Sequence, residues 1–84
     1  MKLNPLVLMK KEFDQTGSVY DPENNKALVL NETGVLIWEA IQDGLEEEDI
    51  VKRVFDEFEV DMDTAVQDVS EFLNMLRDKG FLAE

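Results

Sequence analysis

Residues 26–38 constrain this chain most: Lys26-Ala27-Leu28-Val29-Leu30 runs without a linker into Asn31-Glu32-Thr33-Gly34-Val35-Leu36-Ile37-Trp38. Ala27 to Leu30 have the aliphatic and β-branched content of a half-buried strand. Asn31 offers a side-chain oxygen to the free N–H groups of a helix start, and Thr33 is a second local acceptor. Leu36, Ile37, Ala40 and Ile41 then recur at helical spacing with Trp38 beside them, until Gly44 closes the turn. A strand coupled this tightly to a helix admits few folds.

Before this unit the chain is strand-like. Lys2 to Pro5 reads as a lead-in. Residues 6–13 form a candidate strand whose alternation breaks at Lys10 and Lys11, as at a sheet edge or a bulge. Asp14-Gln15-Thr16-Gly17 is turn chemistry, with Gly17 free to take positive φ. A second strand spans about 18–21, and Asp21-Pro22-Glu23-Asn24-Asn25 turns the chain into the third at 26–30. Three short strands joined by tight turns predict an antiparallel meander.

After Gly44 the pattern is helical. Glu46, Glu47, Glu48 and Asp49 put carboxylates on the first turn of a second helix, where the helix dipole favours them. Its apolar stripe is Ile50, Val51, Val54, Phe55 and Phe58. Asp61 caps a third helix carrying Ala65, Val69, Phe72, Leu73 and Leu76, flanked by Val66 and Met75. Lys79 and Gly80 end it, and Phe81 and Leu82 fold back onto the core. The helices are expected at about 32–43, 46–58 and 62–79, within one domain of residues 1–84. The fold class is α+β: a three-stranded antiparallel meander followed by a three-helix bundle, winged helix-turn-helix-like.

Composition removes most chemistry. The 84 residues contain no cysteine and no histidine, so thiolate and imidazole catalysis and almost every zinc or iron–sulfur site are excluded. Ser18, Ser70, Thr16, Thr33, Thr64 and Tyr20 have no histidine to activate them. Asp61-Met62-Asp63 resembles the start of a calcium loop, but Ala65, Val66 and Phe72 occupy the positions that need an oxygen ligand, a glycine and a glutamate. We expect no catalytic residues, no metal and no cofactor. A net charge of -12 repels phosphate backbones and anionic lipid. The helix a DNA reader would insert carries Asp61, Asp63, Asp68, Glu71 and Asp78 against Arg77 and Lys79. No apolar run spans a membrane and no secretory signal opens the chain, so cytoplasm is the expected location.

Leu3-Asn4-Pro5, Val19-Tyr20-Asp21-Pro22, Leu30-Asn31-Glu32-Thr33-Gly34 with Trp38, Asp43-Gly44, and Asp68-Val69 with Phe72-Leu73, Leu76 and Gly80-Phe81-Leu82 together resemble the PqqD family, over nearly the whole chain. The family includes the peptide-recognition elements of ribosomally made, modified peptide pathways. The resemblance implies a non-catalytic peptide chaperone that binds the leader of a precursor peptide by β-strand addition. It would present that leader to a modifying enzyme, in the namesake pathway a radical S-adenosylmethionine (SAM) protein serving pyrroloquinoline quinone (PQQ) biosynthesis. Carried onto this chain, the peptide-binding residues are Ala27, Leu28, Val29 and Leu30 on the third strand and Asp68, Phe72, Met75, Leu76 and Lys79 on the third helix. From the residues alone, an unpaired strand edge can be completed by a guest peptide. Which face of that strand is buried stays open, and the edge also admits a homodimer. A general protein-interaction or regulatory winged-helix module is the alternative.

Overall fold

The computed structural model describes residues 1–83. In chain order the elements are β1 (Leu8–Lys11), β2 (Gly17–Asp21), β3 (Lys26–Leu30), α1 (Glu32–Gln42), α2 (Glu47–Glu57) and α3 (Met62–Asp78). The strands form one antiparallel sheet in the order β1-β2-β3, and three helices follow, so the fold is α+β.

Local chemistry sets each boundary. Asn31 Oδ1 accepts the Gly34 N–H at 2.8 Å, which starts α1 directly after β3. Asp61 Oδ1 accepts the Thr64 N–H at 2.7 Å and starts α3. Glu46 precedes α2 without a side-chain cap, leaving Glu47, Glu48 and Asp49 to meet the positive end of the dipole. α1 and α3 end alike. Gly44 at φ 85° and Gly80 at φ 78° reverse the chain, and Leu45 and Phe81 donate back to Ala40 O and Leu76 O.

The core lies between the inner face of the sheet and the helices. Val19 and Leu30 meet Val35, Ile37, Trp38 and Ile41 of α1, and Ile50 and Val54 of α2 with Ala65, Val69, Leu73 and Leu76 of α3 join the same cluster. Phe81 and Leu82 are buried, with the Phe81 ring edge-on to Trp38 at 6.2 Å. On the sheet, Met9, Val19 and Leu28 stand in one inward row, while Leu8, Tyr20 and Ala27 stand outward in the next.

Four expectations need correction. β1 is half as long as residues 6–13, because Glu12 N–H already bonds Thr16 O and Asp14 Oδ1 accepts from Thr16 N–H and Oγ1–H, closing the turn early. Gln15, not Gly17, takes positive φ there (73°), and Gly17 pairs with Leu30 inside β2. Phe55 is exposed: the buried face of α2 centres on Ile50 and Val54, and one further residue turns about 100° out of it. Residues 2–5 are more than a lead-in. Leu3 bridges Leu82, Asn4 N–H donates to Phe81 O, and Ala83 N–H donates to Lys2 O.

Candidate functional site

Among the described residues, β3 is paired on one side only. The direction of its peptide groups follows from the ladder. The Glu12–Thr16 bond makes that pair hydrogen-bonded, so stepping by two makes Lys10–Ser18 and Leu8–Tyr20 hydrogen-bonded as well. Ser18 and Tyr20 therefore address β1, and Gly17, Val19 and Asp21 address β3. Their partners Leu30, Leu28 and Lys26 are occupied with β2. Ala27 and Val29 remain, with N–H and C=O aimed at the open side.

Side chains run the other way. Val29 is 82% exposed and Ala27 is exposed, both on the outer sheet face, while Leu28 is half-buried against the core and Leu30 is fully buried. The inward face of β3 is thus the leucine face. Beside it a groove runs between β3 and α3. Its middle is lined by Leu28, Val29, Leu30, Phe72 and Met75. Toward the start of α1 it continues past Asn31, Thr33 and Gly34 under Asp68 and Glu71. Toward the end of α3 it passes Lys26, Asn74, Asp78 and Lys79. A Cβ on Gly34 would stand 3.1 Å from the Phe72 ring, so glycine lets that ring lie against the first turn of α1.

The structure brings eight of the nine expected residues to this edge and groove. Leu76 is set apart: it is fully buried in the core beneath the groove, because it lies on the same side of α3 as Leu73 and Val69. Lys26, Thr33, Gly34, Glu71 and Asn74 line the groove without having been singled out. Gly34 carried a signal, a glycine inside a helical pattern, which marks close packing. Glu71 and Asn74 carried one too, lying within a helical turn of Met75.

Electrostatics here come from exposed charges and from the turn that opens β3. The Asp21 carboxylate is buried; it accepts from Asn24 Nδ2 at 2.8 Å and from the Glu23 and Asn24 N–H groups. Those donors, Asn24 foremost, and the charge of Lys26 hold its pKa below the usual carboxylate value.

A family model described as coenzyme PQQ synthesis protein D (PqqD) matches residues 17–82. This chain belongs to the PqqD family. Two solved structures are similar to it. TbiB1 in complex with the TbiA(beta) leader peptide has 27% identity and a TM-score of 0.88, over 98% of this chain and 94% of that one. Lasso peptide synthetase B1 complexed with the leader peptide has 23% identity and a TM-score of 0.86, over 99% and 96%, and shows the same fold. No curated protein matches the sequence. The PqqD match takes in β2, β3 and all three helices and leaves β1 outside. Among the described residues, no helix of this family member is long and apolar enough to cross a membrane.

Proposed function

We propose that this PqqD-family chain is a non-catalytic carrier, one domain over residues 1–84, that binds the leader of a ribosomally made precursor peptide. The leader adds as a fourth strand beside β3 and is presented to a modifying enzyme. The observation that carries this reading is the pair of outward peptide units at Ala27 and Val29 beside an apolar groove. The similar structures named above each hold a leader peptide. The family's namesake pathway supports a radical SAM enzyme as the receiving partner, and cytoplasm as the place where the two meet.

The energetics explain why both parts of the site are needed. Two N–H and two C=O groups give four hydrogen bonds, worth roughly 2–6 kcal/mol net at about 0.5–1.5 each. Association and ordering cost about 4–15 kcal/mol. The edge alone falls short, and an apolar leader side chain set opposite Leu28 points into the groove onto Phe72 and Met75, adding about 1.5–3 kcal/mol. Met75 suits this position because its thioether chain repacks around different guests.

The test is a titration of isotope-labelled protein with the leader of a precursor encoded beside this gene. The expected result is a shift of the Ala27 and Val29 amides and of the Phe72 and Met75 side-chain signals, with slowed amide exchange at Ala27 and Val29. Shifts confined to β1 or α2 would sink the assignment.

A further inference from the structure

The outer face of the sheet is apolar where water favours polar side chains. Its six strand positions are Leu8, Lys10, Ser18, Tyr20, Ala27 and Val29, and none of them packs into the buried cluster. A sheet face turned to solvent ordinarily alternates to polar residues, yet Leu8, Tyr20 and Val29 are exposed here. On β2 the neighbours of Tyr20 have other work. Val19 fills the core, and Asp21 organises the turn into β3. Between them Tyr20 stands out of the sheet, 41% exposed.

The Tyr20 ring is aimed. Its hydroxyl donates to Asn25 Oδ1 at 3.0 Å, and Asn25 directly precedes β3. The ring therefore leans from β2 toward the start of β3, a diagonal cross-strand contact. Its register partner there is Ala27, whose methyl is the smallest side chain on β3. The result is a step: a low methyl on the edge strand with an oriented ring behind it. Val29, the other outward residue of β3, makes no such step. It is β-branched, and the residue behind it is Ser18.

Resting on the leader reading, we infer that Tyr20 and Ala27 form a second anchor point for the leader, on the outer face, that takes a large apolar or aromatic side chain. The occupant is fixed by continuity with the open edge. A guest residue beside Ala27 is the neighbour of the one that enters the groove, so its side chain falls on the outer face. The guest strand lies about 10 Å from β2, two strand spacings away. Aromatic pairs meet with ring centroids about 4.5–7 Å apart, so a guest ring leaning back and the Tyr20 ring leaning forward come together over the Ala27 methyl. A branched side chain at position 27 would stand between them. The leader is then held on both faces, by Phe72 and Met75 on one and by Tyr20 on the other. The signature it must carry is two bulky residues in succession, one for the groove and one for the step.

The experiment uses two guest strands, threonine-threonine-leucine-threonine-threonine and threonine-phenylalanine-leucine-phenylalanine-threonine. Each reads the same from either end, so a parallel and an antiparallel guest offer Ala27 the same side chain. Each is fused to the C-terminus of the full chain through a flexible glycine-serine linker, which holds it near millimolar effective concentration. Amide exchange at Ala27 and Val29 reports occupancy. The phenylalanine guest is expected to protect these amides roughly fivefold better than the threonine guest, the order of a cross-strand aromatic pair. Tyr20→Thr is expected to remove that advantage and to leave protection by the threonine guest unchanged, which also shows the sheet intact. Nuclear Overhauser contacts are expected between a guest ring and the Ala27 methyl. Four results overturn the outer anchor and leave strand addition standing: equal protection by both guests, an advantage that survives Tyr20→Thr, guest rings in contact with the Met75 methyl instead, or a loss in Tyr20→Thr that is equal for both guests. No protection with either guest overturns strand addition as well.

Discussion

β1 and β3 flank the same central strand, and each leaves one side unpaired among the described residues. The ladder that aims Ala27 and Val29 outward from β3 aims Met9 and Lys11 outward from β1. Their surroundings differ. β1 has four residues and carries Lys10 and Lys11, and the Lys11 ammonium bridges Glu39 of α1 at 3.3 Å. The hollow beside it is lined by Glu32, Glu39, Arg53 and Glu57, so a strand entering there would have to strip water from charges. β3 has one lysine, at its start, and an apolar hollow beside it. Charge and shortness are how sheets keep an edge from pairing. This sheet guards one edge and leaves the other open, and the guarded one lies outside the family match.

The largest effect is expected from proline at the two edges. Val29→Pro removes an N–H that serves only the open side and puts a ring in the path of the guest, while β2 keeps its bonds to Leu28 and Leu30. Leader affinity should fall about a hundredfold or more. Lys11→Pro makes the same change on the guarded edge and should leave affinity within about twofold. Calorimetric titration of both variants, with folding checked by circular dichroism, compares the edges directly. Equal losses would mean that the open edge is not the site.

The next contrast lies across α3. Phe72 is half-buried in the groove wall, and Leu76 is fully buried one turn further on. Phe72→Ala should weaken leader binding about tenfold through lost apolar contact. Leu76→Ala should cost about 2–5 kcal/mol of folding stability through the cavity it leaves, with little change in the affinity of the molecules that stay folded. Chemical denaturation combined with titration separates the two. If Leu76→Ala weakens binding as much as Phe72→Ala at equal folded fraction, the groove extends into the core.

This division between lining and core is where the sequence stops being legible. Phe72, Leu73, Met75 and Leu76 are all apolar at helical spacing, and periodicity says only that they share a broad face. How far each sits from the sheet depends on how α3 packs, a contact between segments some forty residues apart. The same holds for Leu3 and Leu82, whose pairing ties the two ends of the chain together and leaves no local mark on either. Features decided within a few residues were legible: the Asn31 and Asp61 caps, the reversals at Gly44 and Gly80, and the run from β3 into α1. Even the leucine face of β3 needed the sheet, because Leu28-Val29-Leu30 is apolar on both sides and alternation could not choose between them.

The smallest effect concerns the turn that feeds the open edge. Asp21 ends β2, and its carboxylate organises Glu23 and Asn24, so that β3 starts in register at Lys26. Its folded-state pKa lies below the ordinary value of 3.8, so its contribution to stability is fully present above that value. The contribution is lost as pH falls through the lower folded value, when the protonated carboxyl can no longer accept from all its donors. Asp14 and Asp61 are shifted the same way, by Thr16 and Thr64, so a global melt would sum all three. Local probes are needed: the Asp21 carboxyl carbon shift and the Glu23 and Asn24 amides, followed from about pH 5 to about pH 2. The carboxyl should titrate below its unfolded value, and the protection of the Lys26 and Leu28 amides, relative to their intrinsic exchange at each pH, should fall over the same interval. β1, whose own turn is held by Asp14 through Thr16, should loosen along with Asp14 instead. If Asp14→Asn abolished the acid response at the start of β3, the two turns would not be acting as separate anchors, and the difference between the edges would rest on charge and on the groove alone.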